Sequence, residues 1–196
     1  MADPDADAAA VAAIYAPAVE GGIASFEERA PGSDEVAARM RRVLAWTPWL
    51  VAEVDGRVVG YAYAGPHHER AGYRWSVNIS VYVDAVHHGR GIGRRLYADL
   101  LDRLRQQGFV NAYAGIALPN PASVALHEGI GMRRIGVYER IGFKLGRWHD
   151  VAWYWLRLSE PDGIPAEPIP LPELIGRAAG QPVAGLPASI QAGAAS

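Results

Sequence analysis

Between Val83 and Leu96 the chain reads Asp84-Ala-Val-His-His-Gly-Arg-Gly-Ile-Gly-Arg-Arg95. Closely spaced glycines let successive backbone N–H groups converge, and a helix starting beside them adds a partial positive charge. Such a turn is an anion cradle, most naturally for a pyrophosphate. Arg90, Arg94 and Arg95 surround it with cationic arms. Two nucleotide-binding patterns fail here. The dinucleotide pattern G-x-G-x-x-G needs a glycine at 94, where an arginine stands, and a P-loop needs a Gly-Lys pair that the chain lacks. His149 and Asp150 look like a catalytic dyad, but neighbours on a strand face opposite sides of the sheet and do not pair. With no cysteine in the chain, thiolate nucleophiles, disulfide scaffolds, zinc ribbons and iron–sulfur sites are excluded, and no metal site is expected.

Several elements must hold that turn in place. Val11, Ile14, Tyr15 and Val19 recur at helical spacing and predict a helix over Ala6–Val19, ended by Gly21-Gly22. A loop from Ile23 to Gly32 follows, and Ser33 is expected to cap a second helix running through Val36, Met40 and Leu44. Trp49–Val54 and Arg57–Ala64 read as a hairpin around Asp55-Gly56, with Gly65-Pro66 breaking the second strand and His67–Gly72 a loop. Tyr73–Val83 is rich in aromatic and β-branched residues and predicts the longest central strand. After the glycine turn, Ile92, Leu96, Leu100, Leu101 and Leu104 form the apolar face of a helix ending at Gly108. A strand over Phe109–Ala117, a helix from Pro119 or Asn120 to about Gly129, and a strand pair over Arg133–Phe143 and Arg147–Leu158 complete the pattern. The order predicts an α+β fold with a mixed sheet. Residues 1–158 are expected to form the working domain, and the Pro-, Gly- and Ala-rich residues 159–196 a weakly structured tail.

A chain of 196 residues, half hydrophobic and one-fifth charged, suits one soluble globular domain. The net charge of −2 argues against a polycation that seeks nucleic acid or an anionic membrane. The basic segment is also short, with no aromatic platform interleaved. No apolar run approaches the roughly 20 residues that span a bilayer. Asp3, Asp5 and Asp7 stand where a signal peptide would be basic, so a cytoplasmic location is expected. Lys144 is the single lysine among 19 basic residues, a bias spread through the whole chain and therefore compositional.

His88-Gly-Arg-Gly-Ile-Gly93 is similar to the acetyl-CoA signature [RQ]-x-x-G-x-[GA] of the GNAT N-acetyltransferase superfamily. Trp49–Gly56 with Tyr61–Pro66, Ser80–Val83, Leu118–Asn120, His127-Glu128 and Trp148–Asp150 extend the likeness to the phosphinothricin acetyltransferase branch, over about residues 8–158. The resemblance implies the GNAT fold: a mixed, mostly antiparallel central sheet flanked by helices, with splayed central strands and a glycine-rich pyrophosphate loop. It implies acetyl-CoA as cosubstrate, with the pantetheine arm along Val81, Tyr82 and Val83. His88, Gly89, Arg90, Gly91, Ile92, Gly93 and Arg94 would then bind the pyrophosphate. Asn120 would bond the pantetheine amide, Ser123 would lie beside the lower arm, and His127 would stand where many members carry a tyrosine that protonates the departing thiolate. Tyr82 joins the catalytic set. Phe26, Glu27, Arg74, Trp75, Asn78 and His149 are the expected acceptor side, with Arg74 or Arg70 as a fork for a substrate carboxylate. The implied reaction is direct acetylation of a small amino acid's primary amine (phosphinothricin, methionine sulfone or sulfoximine, arsinothricin-like). The implied assembly is a homodimer.

Two departures stand out. The branch usually places a glutamate base where this chain has Asn78, and an amide has no titratable acceptor at neutral pH. Proton relay through water or Glu27 would keep such an enzyme active and favour higher pH. The branch also opens with a strand before the first helix, which this chain lacks, so either its start lies further upstream or the sheet edge is truncated. Two alternatives stay open: an acetyltransferase for protein N-termini or another amine, and, because Asn78 replaces the glutamate, a non-catalytic CoA-binding sensor.

Overall fold

The computed structural model describes residues 1–179. Helices α1 (Pro4–Glu20) and α2 (Ser33–Leu44) precede strands β1 (Trp49–Val54), β2 (Arg57–Pro66) and β3 (Ser76–Val83). Then come α3 (Ile92–Gln106), β4 (Asn111–Ala117), α4 (Pro121–Gly129), β5 (Arg133–Lys144), β6 (Arg147–Arg157) and α5 (Leu171–Ala178). The six strands form one sheet in the order β1-β2-β3-β4-β6-β5, and β3–β4 is its single parallel pair. This is the α+β architecture that the residue pattern implies.

Each face of the sheet carries its own core. Ile92, Leu96, Leu100, Leu101 and Leu104 of α3 are all buried against Leu50, Val59, Val77, Ile79, Ala112 and Ile116. On the other face Val11, Val36 and Met40 pack over Trp49 and Tyr61. Strand β3 alternates between them: Val77 and Ile79 are buried in the α3 core, so Asn78, Ser80 and Tyr82 look toward the opposite face.

Local chemistry explains where the boundaries differ from expectation. Gly32, not Ser33, is the N-cap of α2, and no side chain caps it. Strand β2 runs through Gly65-Pro66, since Pro66 sits at the strand's last rung, opposite Val77, where a missing N–H costs little. Strand β3 starts at Ser76, because Ala71–Tyr73 closes a 3-10 turn with Tyr73 N–H on Arg70 O and Arg74 N–H on Ala71 O. With 8 residues it is shorter than the internal strands β2 (10 residues) and β6 (11 residues), and the longest strand, the 12-residue β5, lies at the sheet edge. At the opposite edge, the Ala2 N–H donates to Trp49 O at 2.9 Å.

The segment after Leu158 is more ordered than its composition suggests. The buried Gln107 amide donates to Trp46 O and Ile169 O, both at 2.8 Å, and Ile169 N–H returns a bond to Gln107 O. Leu171 is 2% exposed and opens α5. The stretch 166–178 is therefore strapped to the body by backbone-type bonds that no hydrophobic periodicity announces. The remainder of the expected tail, 180–196, lies outside the described residues.

Candidate active site

The central strands part company early. Strands β3 and β4 pair only at Ser76–Asn111, Val77–Ala112 and Asn78–Tyr113. Beyond that rung β3 continues to Val83 and β4 to Ala117 without pairing, so the sheet opens beside Asn78. An extended guest can lie in such an opening and use the unpaired strand edges.

At the far end of β3 stands the glycine turn. Asp84 closes its approach by accepting the Val86 N–H at 3.1 Å, and His88 Nε2–H donates to Val83 O at 2.8 Å. Gly89 and Gly91 both take φ of +74°, a conformation that side chains disfavour. Gly91 is the N-cap of α3, and no side chain bonds the N–H groups at the helix start. Gly93 fits because a Cβ there would lie 3.2 Å from Leu126 of α4. Arg90, Arg94 and Arg95 are exposed around the turn. Converging donors, an open helix start and three guanidinium groups can together hold a pyrophosphate-like anion, and Ile92, buried beneath them, anchors the helix.

Beside the opening, Asn120 caps α4 by accepting the Ser123 N–H at 3.1 Å. Ser123 O in turn accepts from His127 Nδ1–H at 2.7 Å, and Ser123 Oγ lies 3.3 Å from the same nitrogen. With Nδ1 protonated, Nε2 accepts the Tyr97 O–H at 3.0 Å. Burial holds the Tyr97 hydroxyl far above its ordinary range, so it remains a donor. His127 is 4% exposed, and desolvation pushes its pKa down, against the opposing bond to Ser123. The ring is therefore neutral with one fixed tautomer, and both nitrogens are engaged inside the protein.

The α1–α2 side holds the other expected residues. Phe26 lies over Gly142, where a Cβ would come within 2.3 Å of its ring, and 6.2 Å from the buried His149. Lys144 Nζ donates to Ser25 O at 2.6 Å and ties the β5–β6 hairpin to this loop. Glu27 is gripped by both Arg39 nitrogens, at 2.7 and 2.9 Å, and by the Tyr15 hydroxyl at 2.9 Å. The Arg39 bonds hold its carboxyl below the usual range, and they occupy both of its oxygens. Tyr82 packs edge-on to Tyr15 and stacks on Tyr61, and burial raises its pKa well above the usual value. Its ring is a packing element of the α1 side, which does not suit it to proton transfer. His149 Nε2–H donates to Lys144 O and Asp150 accepts the Arg140 N–H, so these neighbours do not pair.

Arg74 and Trp75 are not available as drawn from the sequence. Arg74 pairs with Glu167 at 3.2 Å, and the Trp75 indole N–H donates to Ala166 O at 2.8 Å. Both are claimed by the C-terminal strap. Three residues missed by sequence reasoning gather instead around Asn78. His67 Nδ1 lies 2.8 Å from Asn78 Oδ1, its ring stacks on Tyr113 at 4.2 Å, and Trp153 stands edge-on at 5.8 Å. The only sequence signal was that β2 and β3 must lie side by side.

A family model described as an acetyltransferase (GNAT) domain matches residues 4–153. The phosphinothricin N-acetyltransferase of Streptomyces viridochromogenes is 41% identical over 166 residues, covering 85% of this chain and 88% of its own length. An L-methionine sulfoximine/L-methionine sulfone acetyltransferase of Salmonella typhimurium is 38% identical, covering 79% of this chain and 91% of its own. The crystal structure of a phosphinothricin acetyltransferase from Sinorhizobium meliloti in complex with acetyl-CoA superposes with a TM-score of 0.80 at 35% identity, over 85% of this chain and 91% of that one.

Proposed function

The chain belongs to the GNAT acetyltransferases, and from that premise we propose that it transfers an acetyl group from acetyl-CoA to the primary amine of a small amino acid of the glutamate-analogue kind. The observation that carries this reading is the opening of β3 from β4 beyond Asn78, with the glycine turn at its far end. The donor set fits acetyl-CoA: uncapped N–H groups and arginines for the pyrophosphate, and a free strand edge for the amide-bearing arm. When bound, acetyl-CoA supplies a thioester carbonyl for the amine to attack. Val81–Val83 backbone groups orient that arm and polarise the carbonyl. Asn120, whose side-chain oxygen is spent on capping, keeps its amide N–H groups for the arm. The Tyr97–His127–Ser123 chain is the proton source for the departing thiolate.

On the acceptor side, Phe26 and the aromatic rings of Tyr113 and Trp153 wall the site, and Arg39 fixes the loop through Glu27. The protein acts as a homodimer in the cytoplasm on this reading. Ile135, Tyr138, Ile141, Phe143, Leu145 and Trp148 of the β5–β6 hairpin are 46–60% exposed, an apolar edge suited to a second copy. No helix among the described residues is long and apolar enough to cross a membrane.

Thiol release from acetyl-CoA, measured across free amino acids and their phosphinic, sulfone and sulfoximine analogues, tests the assignment. Amine-dependent release is expected for the analogues. Silence across the whole panel while acetyl-CoA binds would overturn it and favour the sensor reading.

A further inference from the structure

Asn78 occupies the point where the sheet opens, yet an amide cannot take a proton from an ammonium. Its neighbour can. An amide oxygen only accepts, so the 2.8 Å contact between Asn78 Oδ1 and His67 requires a proton on His67 Nδ1. In the neutral ring, Nε2 then carries the lone pair. His88 and His149 each spend Nε2 on a backbone carbonyl, and His127 spends both nitrogens. Among the described residues, His67 Nε2 has no hydrogen-bond partner. The ring is also held still. Its backbone N–H donates to Ser76 O at 3.1 Å, one face lies flat on Tyr113, and His68 abuts it at 4.4 Å. Tyr113 is the β4 partner of Asn78 on the last rung before the strands separate, so His67 stands at the mouth of the opening.

We propose that His67 is the catalytic base of the acceptor site and that Asn78 is its positioning residue. This rests on the amine-acetylation reading above. An N–H bond of the acceptor ammonium breaks as the proton moves to His67 Nε2, leaving a free amine and an imidazolium. The amine's electron pair forms the C–N bond to the thioester carbonyl carbon. The C–S bond then breaks, the sulfur leaves as thiol with a proton from the Tyr97–His127–Ser123 chain, the second nitrogen-borne proton passes to water and restores that chain, and the imidazolium returns the first proton to water. The titratable groups packed on the ring are His68, Tyr73 and Tyr113, and Glu69 and Arg70 follow in the adjoining loop.

The decisive variants are His67→Gln and His67→Ala, assayed with the best acceptor from the panel. A fall in kcat/KM for the amine of about 10²–10⁴ is expected, with acetyl-CoA affinity unchanged and partial rescue of His67→Ala by added imidazole. Nitrogen NMR of the imidazoles should report the Nδ1–H tautomer for His67 in the wild type and in Asn78→Asp at neutral pH, and its loss in Asn78→Ala. An active wild type with His67 variants within about threefold of it, or a His67 ring protonated on Nε2, overturns this inference alone. A wild type that binds acetyl-CoA and acetylates nothing overturns the functional reading and this inference with it.

Discussion

Replacing Gly91 by alanine isolates the glycine turn from everything else in the site. Its φ is +74°, and a Cβ there would meet nothing within 4 Å, so the substitution adds strain without a clash. Holding a side-chain-bearing residue in the left-handed region costs about 1–2 kcal/mol. If the free protein keeps the turn in place, the cost appears as lost stability. If the turn relaxes until acetyl-CoA binds, it appears as affinity weakened by about 5- to 30-fold, since 1.4 kcal/mol is a factor of ten. The two losses, read from denaturant unfolding and from calorimetric titration of acetyl-CoA, should therefore sum to about 1–2 kcal/mol. Gly136→Ala is the control: Gly136 lies outside the left-handed region and has open space, so both measurements should be unchanged. If Gly91→Ala matches the wild type in both stability and acetyl-CoA affinity, the turn does not depend on its left-handed glycine, and the pyrophosphate seat is wrongly drawn.

Three further outcomes follow from particular contacts. Burial depresses the His127 pKa, so below about pH 6.5 the unfolded chain takes up a proton that the folded one refuses. Stability should fall as pH drops through that range, and His127→Gln should flatten the slope in unfolding measured from pH 7 to 5. Gly142→Ala places a methyl against the Phe26 ring, so KM for the amine should rise severalfold while acetyl-CoA affinity holds. Gln107→Ala strips a donor from Trp46 O and Ile169 O, and a loss of about 1–3 kcal/mol is expected in urea unfolding.

What the sequence makes legible is what local periodicity and turn chemistry encode. The apolar face of α3 and the two-residue turn at Asp55-Gly56, with φ of +52° and +72°, are both readable from residue types alone. The glycine turn is readable for the same reason, because its donors are consecutive backbone groups. The acceptor side depends on contacts between distant positions. Arg74 is intercepted by Glu167, and Glu27 by Arg39, and neither pairing leaves a mark at the residues themselves. His67 meets Asn78 only because Gly65 and Asn78 share a rung of the β2–β3 pair. A one-residue slip of that register would send Asn78 to the other face. Docking of α5 escaped detection because polar bonds to Gln107 guide it in addition to apolar packing.

Lys144 has a practical consequence for any laboratory handling this protein. It is the chain's single lysine, and its Nζ is committed to Ser25 O and Ala18 O, so the folded molecule offers amine-reactive chemistry little besides its N-terminus. Spontaneous acylation by the thioester has almost no target, which leaves a low blank in thiol-release assays. A reagent that does reach Lys144 reports that the hairpin has lifted from the acceptor loop, giving the protein a built-in chemical probe of that motion.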